Sequence, residues 1–223
     1  MNICVIIPAH NEEATIGALV TAVKALGLDV VVINDGSTDG SQKEASSCGA
    51  VVLTNTSKKG KGLSLQEGFA YALRQTYSGI ITMDGDGQHD PEDLKQFLTM
   101  ITSYPDSVVT GNRMQNHQGM PFVRFLTNWS MSAIISFLCR QRVPDTQCGY
   151  RYIGRPVLER MQLTSRDFEI ETEVLMQASR LGFRIYSVPI RTIYSNEKSK
   201  INPFKDTVRF FSYLIREARR SRR

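Results

Sequence analysis

The first half of the chain repeats one pattern: a short apolar run, a polar turn, and a stretch with helical spacing. Strands that are apolar throughout are typical of sheets covered by helices on both faces. After the first run, Ile16, Leu19, Val20 and Val23 follow helical i, i+3, i+4, i+7 spacing. Alternating strands and helices predict an α/β fold with a mostly parallel sheet. The predicted strands span 2–8, 29–34, 50–53, 79–83 and 107–110.

The second half is less regular, although strand and helix patterns are still recognisable. The first predicted helix follows Asn11, which we expect to act as its N-cap. The other predicted helices span 41–48, 63–77, 91–103, 121–139, 168–181 and 203–220. Two further strands are predicted, one within 145–153 and one over 183–190. The last helix is amphipathic and basic.

Charge is concentrated at the C-terminal end of the 223-residue chain. The net charge is +5, and residues 209–223 contain six arginines and one glutamate, so the remainder sums to zero. Such a segment suits anionic lipid, although arginines also complement the negative end of a helix dipole. We expect no nucleic-acid role, because that role would depend on the arginine segment alone and we see no aromatic platform on which bases could stack.

We find no targeting signal and no cysteine motif in the sequence. No apolar run approaches the ~20 residues of a typical membrane span, and the apolar run 3–8 is too short for a signal peptide. We therefore expect a cytoplasmic protein. The four cysteines form no CxxC pair, which disfavours a zinc site or a disulfide framework.

An acidic pair follows the fourth predicted strand directly. Asp84 and Asp86 flank Gly85, so both carboxylates lie on one tight turn, where they can bind a single hard cation such as Mg²⁺ or Mn²⁺. A solvated acidic turn is the simpler alternative. An EF-hand is disfavoured, because Gln88 and His89 replace the residues that its loop requires.

Two other polar segments end predicted strands. Ligands of parallel sheets bind beyond the carboxyl ends of the strands, which is where 8–13 and 34–39 lie. Asp35 is suited to accept a hydrogen bond from a ribose hydroxyl or a base. The spacing G-x-G-x-x-G is missing, which disfavours a dinucleotide site.

In this order, PxxNE from Pro8, DGSxDxS from Asp35, Gly-Lys-Gly at 60–62 and the DxD pair resemble the family 2 glycosyltransferases of the GT-A fold. The resemblance continues through segments 111–113, 145–151, 168–171, 188–190 and 199–200. Among subfamilies it is most similar to the dolichol- or polyprenol-phosphate sugar synthases.

The resemblance implies a site and a division of the chain. A GT-A domain would span 1–202, with a nucleotide-sugar half (1–113) and an acceptor half (114–202), followed by the basic amphipathic helix 203–223. The expected nucleotide-sugar contacts are Pro8, His10, Asn11, Glu12, Ile33, Asp35, Lys61, Asp84 and Gly85. The expected metal ligands are Asp84, Asp86 and Gln88; the catalytic candidates are Asp86, Arg113 and Asp145. The expected acceptor-phosphate contacts are Arg113, Arg124, Arg151 and Lys200.

The implied reaction is inverting transfer of a sugar from a GDP- or UDP-sugar to a polyprenyl phosphate, with Mg²⁺ or Mn²⁺. Two positions depart from the family pattern: Asn34 stands where many relatives have Asp, and Tyr194 where mannosyl synthases often have Arg. These departures leave the nucleobase and the sugar open.

Alternative functions remain at this point. A hydroxyl acceptor would need a general base, for which Asp145, Glu169 and Glu171 are the candidates. A nucleotidyltransferase is disfavoured by the first loop PAHNEE, and a binding module by the intact acidic pair. Arg124 and Asn128 share a face of the helix over 121–139, whose large apolar residues face either core or lipid. We expect a peripheral position at the cytoplasmic face of an anionic membrane, alone or with a membrane-protein partner.

Overall fold

The computed structural model describes residues 2–115, 120–193, 210, 213 and 214. Within these residues, seven strands form one sheet: β1 (Ile3–Ala9), β2 (Asp29–Asp35), β3 (Val51–Asn55), β4 (Gly79–Thr82), β5 (Val108–Asn112), β6 (Arg151–Gly154) and β7 (Ile185–Pro189). The α-helices are α1 (Glu13–Ala25), α2 (Ser41–Ser47), α3 (Lys61–Leu73), α4 (Leu94–Ser103), α5 (Phe122–Cys139), α6 (Arg155–Arg160) and α7 (Ile170–Arg180). A 3₁₀ turn, Pro91–Asp93, precedes α4.

The sheet is mostly parallel, as predicted. Its strand order is β3-β2-β1-β4-β6-β5-β7. Only β6 runs against its neighbours, and it lies between β4 and β5. Because a strand from the second half of the chain is inserted beside strands of the first, both halves share one sheet and belong to one domain.

Both faces of the sheet are covered. Alternate residues of β1 enter two separate apolar clusters: Cys4 and Ile6 in one, Val5 and Ile7 in the other. Helices α3, α5 and α7 cover the first face, and α1 and α4 cover the second. This arrangement explains why the strands are apolar without alternation.

Three helix predictions need correction. Glu12, rather than Asn11, precedes α1, because Asn11 takes a left-handed φ of 57° and its side chain accepts from Thr38 N at 2.9 Å. Helix α3 begins at Lys61 and ends at Leu73, instead of spanning 63–77. It ends early because Arg155 donates to the carbonyls of Leu73 (2.9 Å), Gln75 (2.8 Å) and Tyr77 (3.0 Å). Helix α6 was not predicted.

Helix α5 corrects the expectation that no apolar run approaches the length of a membrane span. Its 18 residues are long and apolar enough to cross a membrane, judged by length and composition alone. Its inner face nevertheless joins the core through Met131, Ile135 and Cys139.

Of the predicted helix over 203–220, only Phe210, Tyr213 and Leu214 belong to the described residues. All three are helical, and Phe210 and Tyr213 are buried in the same cluster as α5 and α7. The rest of that segment, including its arginines, lies outside the described residues.

Candidate active site

The loops after β1 and β2 lie side by side at the carboxyl edge of the sheet. His10 Nδ1 is 2.8 Å from the carbonyl oxygen of Asp35. Asn11 N donates to Ser37 Oγ at 3.0 Å, and Glu12 N donates to Ser41 Oγ at 2.8 Å. The two loops that were predicted to contact the nucleotide are therefore fixed to each other.

The side chains of Asp35 and Ile33 have internal contacts. The Asp35 carboxylate is buried and accepts from Lys59 N at 2.8 Å and from Gly60 N at 2.9 Å. Ile33 is fully buried in the core. In this conformation Asp35 holds the loop before α3, and neither side chain is open to a nucleoside. The neighbouring Asn34 accepts from Ser37 N at 3.2 Å, which stabilises the turn after β2.

The Gly-Lys-Gly loop packs against the second half of the chain. Gly60 has a φ of +108°, and an added Cβ would lie 2.8 Å from the Arg166 carbonyl oxygen. At Gly62 an added Cβ would lie 2.5 Å from the Ser165 carbonyl oxygen. Only glycine permits this approach of the two backbones, which brings Lys61 to the carboxyl edge.

Lys61 and Asp84 form the charged centre of the site. Lys61 Nζ lies 2.6 Å from Asp84 Oδ1 and 2.8 Å from Glu171 Oε1, while His89 Nε2 lies 3.4 Å from Asp84 Oδ2. Burial would raise the pKa of Asp84, but Lys61 and His89 outweigh it, and the pKa of Asp84 lies well below its usual range. Asp84 therefore stays ionised beside a positive charge.

The pKa of Asp86 is shifted in the opposite direction. Burial and the neighbouring Asp84 charge raise the pKa of Asp86, although its Oδ1 accepts from Gln88 N at 3.0 Å. A cation between the two carboxylates would remove that repulsion. Within 2–115 and 120–193 no group of three or more His, Cys, Asp or Glu is arranged to hold a metal. The pair thus fits an ion that completes its shell with substrate phosphate oxygens, as Mg²⁺ commonly does.

Arg113 and Asp145 form a buried, two-point ion pair. Arg113 Nε donates to Asp145 Oδ2 at 2.7 Å and Nη2 donates to Oδ1 at 2.9 Å. Asp145 is fully buried; burial alone would raise its pKa, but Arg113 lowers it below the ordinary value. A carboxylate held this way is a poor proton acceptor, so the structure gives Asp145 the role of positioning Arg113.

Arg151 requires a correction, because it was predicted to contact the acceptor phosphate. Its side chain is 1% exposed and donates to the carbonyls of Cys148 at 2.7 Å, Thr146 at 2.6 Å and Glu171. The guanidinium thus ties the segment before β6 to the start of α7. It does not reach the surface where a substrate would bind.

A cavity of about 280 Å³ connects the acidic pair to the start of α5. It brings together Lys61, Asp84, Asp86, Gln88, Arg113 and Arg124 of the predicted site residues, together with Glu171, one of the three candidate bases. Pro8, His10, Asn11, Glu12, Ile33 and Asp35 are not among its lining residues. Pro8 and Glu12 nevertheless adjoin Gly85, where an added Cβ would lie 3.2 Å from Pro8 O and 3.5 Å from Glu12 Cγ. Lys200 and Tyr194 lie outside the described residues.

Some lining residues were missed or were predicted for other reasons. Gln147 and Phe168 lie in the segments 145–151 and 168–171 of the family resemblance but were not predicted as site residues, and Thr192 carried no sequence signal. His89 follows the acidic pair directly and was noted only as a departure from an EF-hand. Asn128 was predicted to share a face with Arg124, and both line the cavity. Its amide nitrogen is buried and has no hydrogen-bond partner among the described residues.

A mostly parallel sheet with an acidic pair at its carboxyl edge, in a cavity that also contains Lys61, Arg113 and Arg124, is the arrangement of a sugar transferase of the GT-A type. The model of the family described as glycosyl transferase family 2 matches residues 4–161, which is most of the chain. The chain belongs to this family, and the protein is a glycosyltransferase.

Named relatives agree with this assignment. The chain is 30% identical over 202 residues to the polyprenol monophosphomannose synthase of Mycolicibacterium smegmatis, across 83% of this chain and 75% of that protein. It is 27% identical over 216 residues to the UDP-N-acetylglucosamine–dolichyl-phosphate N-acetylglucosaminyltransferase of Methanococcus voltae, across 86% of each.

The fold is also similar to that of solved structures. Glucosyl-3-phosphoglycerate synthase of Mycobacterium tuberculosis, solved with Mn²⁺, UDP and glucosyl-3-phosphoglycerate, superposes with a TM-score of 0.70. The match covers 88% of this chain and 73% of that one at 20% identity, so it supports the fold alone.

Proposed function

We propose that the protein transfers a sugar from a UDP- or GDP-sugar to a polyprenyl phosphate, with inversion at the anomeric carbon. The observation that carries this proposal is the cavity that joins the acidic pair to a basic and amide-lined wall. The relatives named for polyprenol and dolichyl phosphate support the same acceptor class.

The donor end of the cavity is formed by Asp84, Asp86 and Gln88, which would hold Mg²⁺ or Mn²⁺. A bound cation would neutralise the negative charge that develops on the leaving nucleoside diphosphate. Lys61 lies 2.6 Å from Asp84 Oδ1, so its positive charge is also available to the diphosphate. The residues fit an ion shared with a diphosphate, and the solved relatives that contain Mn²⁺ or Mg²⁺ with UDP have the same fold. In the same proposal, the loops of His10 and Glu12 contact the nucleotide.

The acceptor end is formed by Arg113, Arg124 and Asn128. Two of the five N–H donors of Arg113 are occupied by Asp145, and the others remain for a phosphate. The buried Asn128 amide lacks a partner in the described structure, and a buried unpaired donor is costly unless a ligand satisfies it. An acceptor phosphate between Arg124 and Asn128 would supply that partner.

The proposed chemistry is a single displacement. A phosphate oxygen attacks the anomeric carbon from the side opposite the diphosphate, so the C–O bond to the donor breaks as the new one forms. The second pKa of a phosphate monoester is about 6, so the acceptor is largely ionised near neutral pH and needs no general base. Arg113, which Asp145 fixes in place, orients the attacking oxygen.

The carboxylates required by the alternative, a hydroxyl acceptor, have other contacts. Asp145 is bound by Arg113, and Glu171 lies between Lys61 and Arg151. Glu169 is not among the residues that line the cavity. Of these three candidates only Glu171 lines the cavity, and its pairing with Lys61 and Arg151 favours an acceptor that is already an anion.

We also propose that the enzyme works at the cytoplasmic face of an anionic membrane, because a polyprenyl acceptor is held there. Val123 lines the cavity mouth and is highly exposed, so an acceptor chain can leave along α5. A membrane-protein partner in place of direct lipid contact is the alternative.

A donor panel tests this function. Purified protein is incubated with UDP- and GDP-sugars and Mn²⁺ or Mg²⁺, with and without a short polyprenyl phosphate, beside Asp86→Asn. We expect one donor to be consumed only when lipid and metal are present, and no turnover in the variant. Equal turnover without lipid, or full activity of the variant, would contradict the proposal. Asp106→Asn, on the exposed turn before β5, is the matched control.

A further inference from the structure

Helix α5 has an outer face that no described element covers. Of ten large apolar side chains that are exposed among the described residues, six lie on this helix. Phe122, Leu126, Trp129 and Phe137 recur at the spacing of one helical face, and Phe137 is 82% exposed. An apolar stripe about 22 Å long, from Phe122 to Phe137, therefore lies opposite the face that packs on the core.

A second cavity, of about 530 Å³, lies at the C-terminal end of this stripe, far from the acidic pair. Its rim carries three arginines, Arg140, Arg180 and Arg184, and its apolar wall contains Leu138, Met176 and Phe183. None of the described residues that line it is Asp or Glu. The guanidinium groups of Arg140 and Arg184 are exposed and have no ion pair to a described residue.

The surrounding sequence has the same charge bias. Residues 107–144 contain no Asp or Glu but four arginines, at 113, 124, 140 and 142. An exposed apolar helix with arginines at its ends and no acidic residue is complementary to an anionic bilayer rather than to neutral lipid or to a basic partner.

We infer that the cavity between the ends of α5 and α7 binds the phosphate head group of an anionic phospholipid, with the α5 stripe lying in the lipid interface. Arg140, Arg180 and Arg184 bind the phosphate, and Leu138 and Phe183 contact the glycerol and upper acyl carbons. A head-group source fits better than a soluble phosphate, because the exposed Phe137 and Leu138 adjoin the cavity and need an apolar environment. The inference takes from the proposed function only the orientation of the enzyme on the membrane, because the stripe begins at the mouth of the candidate active site.

The chain contains a single tryptophan, Trp129, which is 57% exposed in the middle of the stripe. Its intrinsic fluorescence therefore reports on this surface without labelling. We expect a blue shift with phosphatidylglycerol–phosphatidylcholine vesicles at low salt, and quenching by brominated acyl chains. An unchanged spectrum with these vesicles, or the same affinity for pure phosphatidylcholine, would overturn the inference.

The head-group site is tested by Arg140→Gln/Arg184→Gln. Its matched control is Lys24→Gln/Lys43→Gln, which removes the same charge from exposed positions on α1 and α2, across the sheet. We expect the first variant to bind anionic vesicles about 10- to 30-fold more weakly. The control should stay close to the wild type. Equal weakening of both variants would indicate diffuse charge and overturn a defined site.

Three further measurements separate the remaining explanations. Phe137→Ser, at a side chain that is 82% exposed, should reduce the Trp129 blue shift with anionic vesicles, and an unchanged shift would contradict the inference. If inorganic phosphate or glycerol phosphate binds the cavity while vesicles do not, the site is one for soluble anions and the lipid inference fails. In detergent with a short polyprenyl phosphate, Arg140→Gln/Arg184→Gln should turn over like the wild type. If neither turns over there, the proposed function fails while the vesicle result stands.

Discussion

The two walls of the candidate active site differ in how their charges are balanced. On the wall formed by α3 and the loop after β4, Lys61 is matched by Asp84 and Glu171. On the wall formed by α5, Arg124 and the buried amide of Asn128 line the cavity with no carboxylate from the same helix. In the proposed function the first wall binds a cation shared with a diphosphate, and the second binds an anion attached to an apolar chain. Arg113 lies between them and is fixed by Asp145.

The largest expected effect is on the residue pair between the walls. Asp145→Asn leaves the buried Arg113 without its counter-charge, and we expect the free energy of unfolding to fall by about 3–5 kcal/mol. Urea denaturation measures this. Asp106→Asn, on an exposed turn, should change stability by less than about 0.5 kcal/mol. If Asp145→Asn also lowers the free energy of unfolding by less than about 0.5 kcal/mol, the ion pair is not buried in solution.

This pair also has a defined pH dependence. Because Arg113 holds the pKa of Asp145 below its unfolded value of about 3.9, the stabilisation is complete above that pH. It is lost as the pH falls through the lower, folded pKa of Asp145. The stability difference between wild type and Asp145→Asn should therefore shrink only in strong acid. A difference that already disappears near pH 6 would contradict the assignment.

The donor wall is tested by Asp86→Asn. Loss of a metal-binding carboxylate removes several kcal/mol of transition-state stabilisation, so kcat/KM should fall about a thousandfold. Stability should not fall, because burial and Asp84 already disfavour the charged form of Asp86. Steady-state kinetics measure the loss of activity, and urea denaturation measures any change in stability. A variant that loses activity only by unfolding would remove this support for the metal site.

The acceptor wall is tested by Arg124→Gln. A hydrogen bond to a charged group contributes about 1.5–3 kcal/mol, so KM for the polyprenyl phosphate should rise about 10- to 100-fold. KM for the nucleotide sugar should change little. The matched control is Arg142→Gln, which removes an exposed charge just beyond α5 and outside the cavity. If both substrates are affected equally, the two walls do not have separate roles.

The smallest expected effect is at Gly149, whose backbone lies against the ion pair of Lys61 and Asp84. An added Cβ at Gly149 would lie 2.7 Å from Asp84 Oδ2 and 2.8 Å from Lys61 Nζ, so Gly149→Ala should displace this ion pair. We expect a fall in kcat/KM of about tenfold, equivalent to about 1.4 kcal/mol. Gly17→Ala, whose Cβ would make only ordinary contacts, is the control. Equal activity of both variants would show that the position of Asp84 is not critical.

The sequence was informative where structure depends on neighbouring residues. Apolar runs predicted the strands of the first half, and the polar segments after β1, β2 and β4 meet at one edge because these strands are parallel. Residues that are distant in the chain decide the rest. Arg155, which caps the end of α3, is 82 residues away from Leu73 in the sequence. Arg151 is buried among backbone carbonyls, although an arginine in a sequence usually indicates a surface position.

The same limit applies to the site itself. The DxD pair and Lys61 were found because their motifs are local. The ion pair of Asp145 was not, since its partner Arg113 is 32 residues away. The antiparallel insertion of β6, which brings Gly149 against Asp84, has no local sequence signal either.

The central claim is that the acceptor is an anion and needs no general base. The most direct measurement compares a polyprenyl phosphate with the polyprenol of the same length, using the donor that the enzyme consumes, and identifies the product by mass spectrometry. The account predicts a sugar–phosphate–lipid product from the first and no glycosylated product from the second. Transfer to the polyprenol, or to a soluble hydroxyl at a comparable rate, would contradict it.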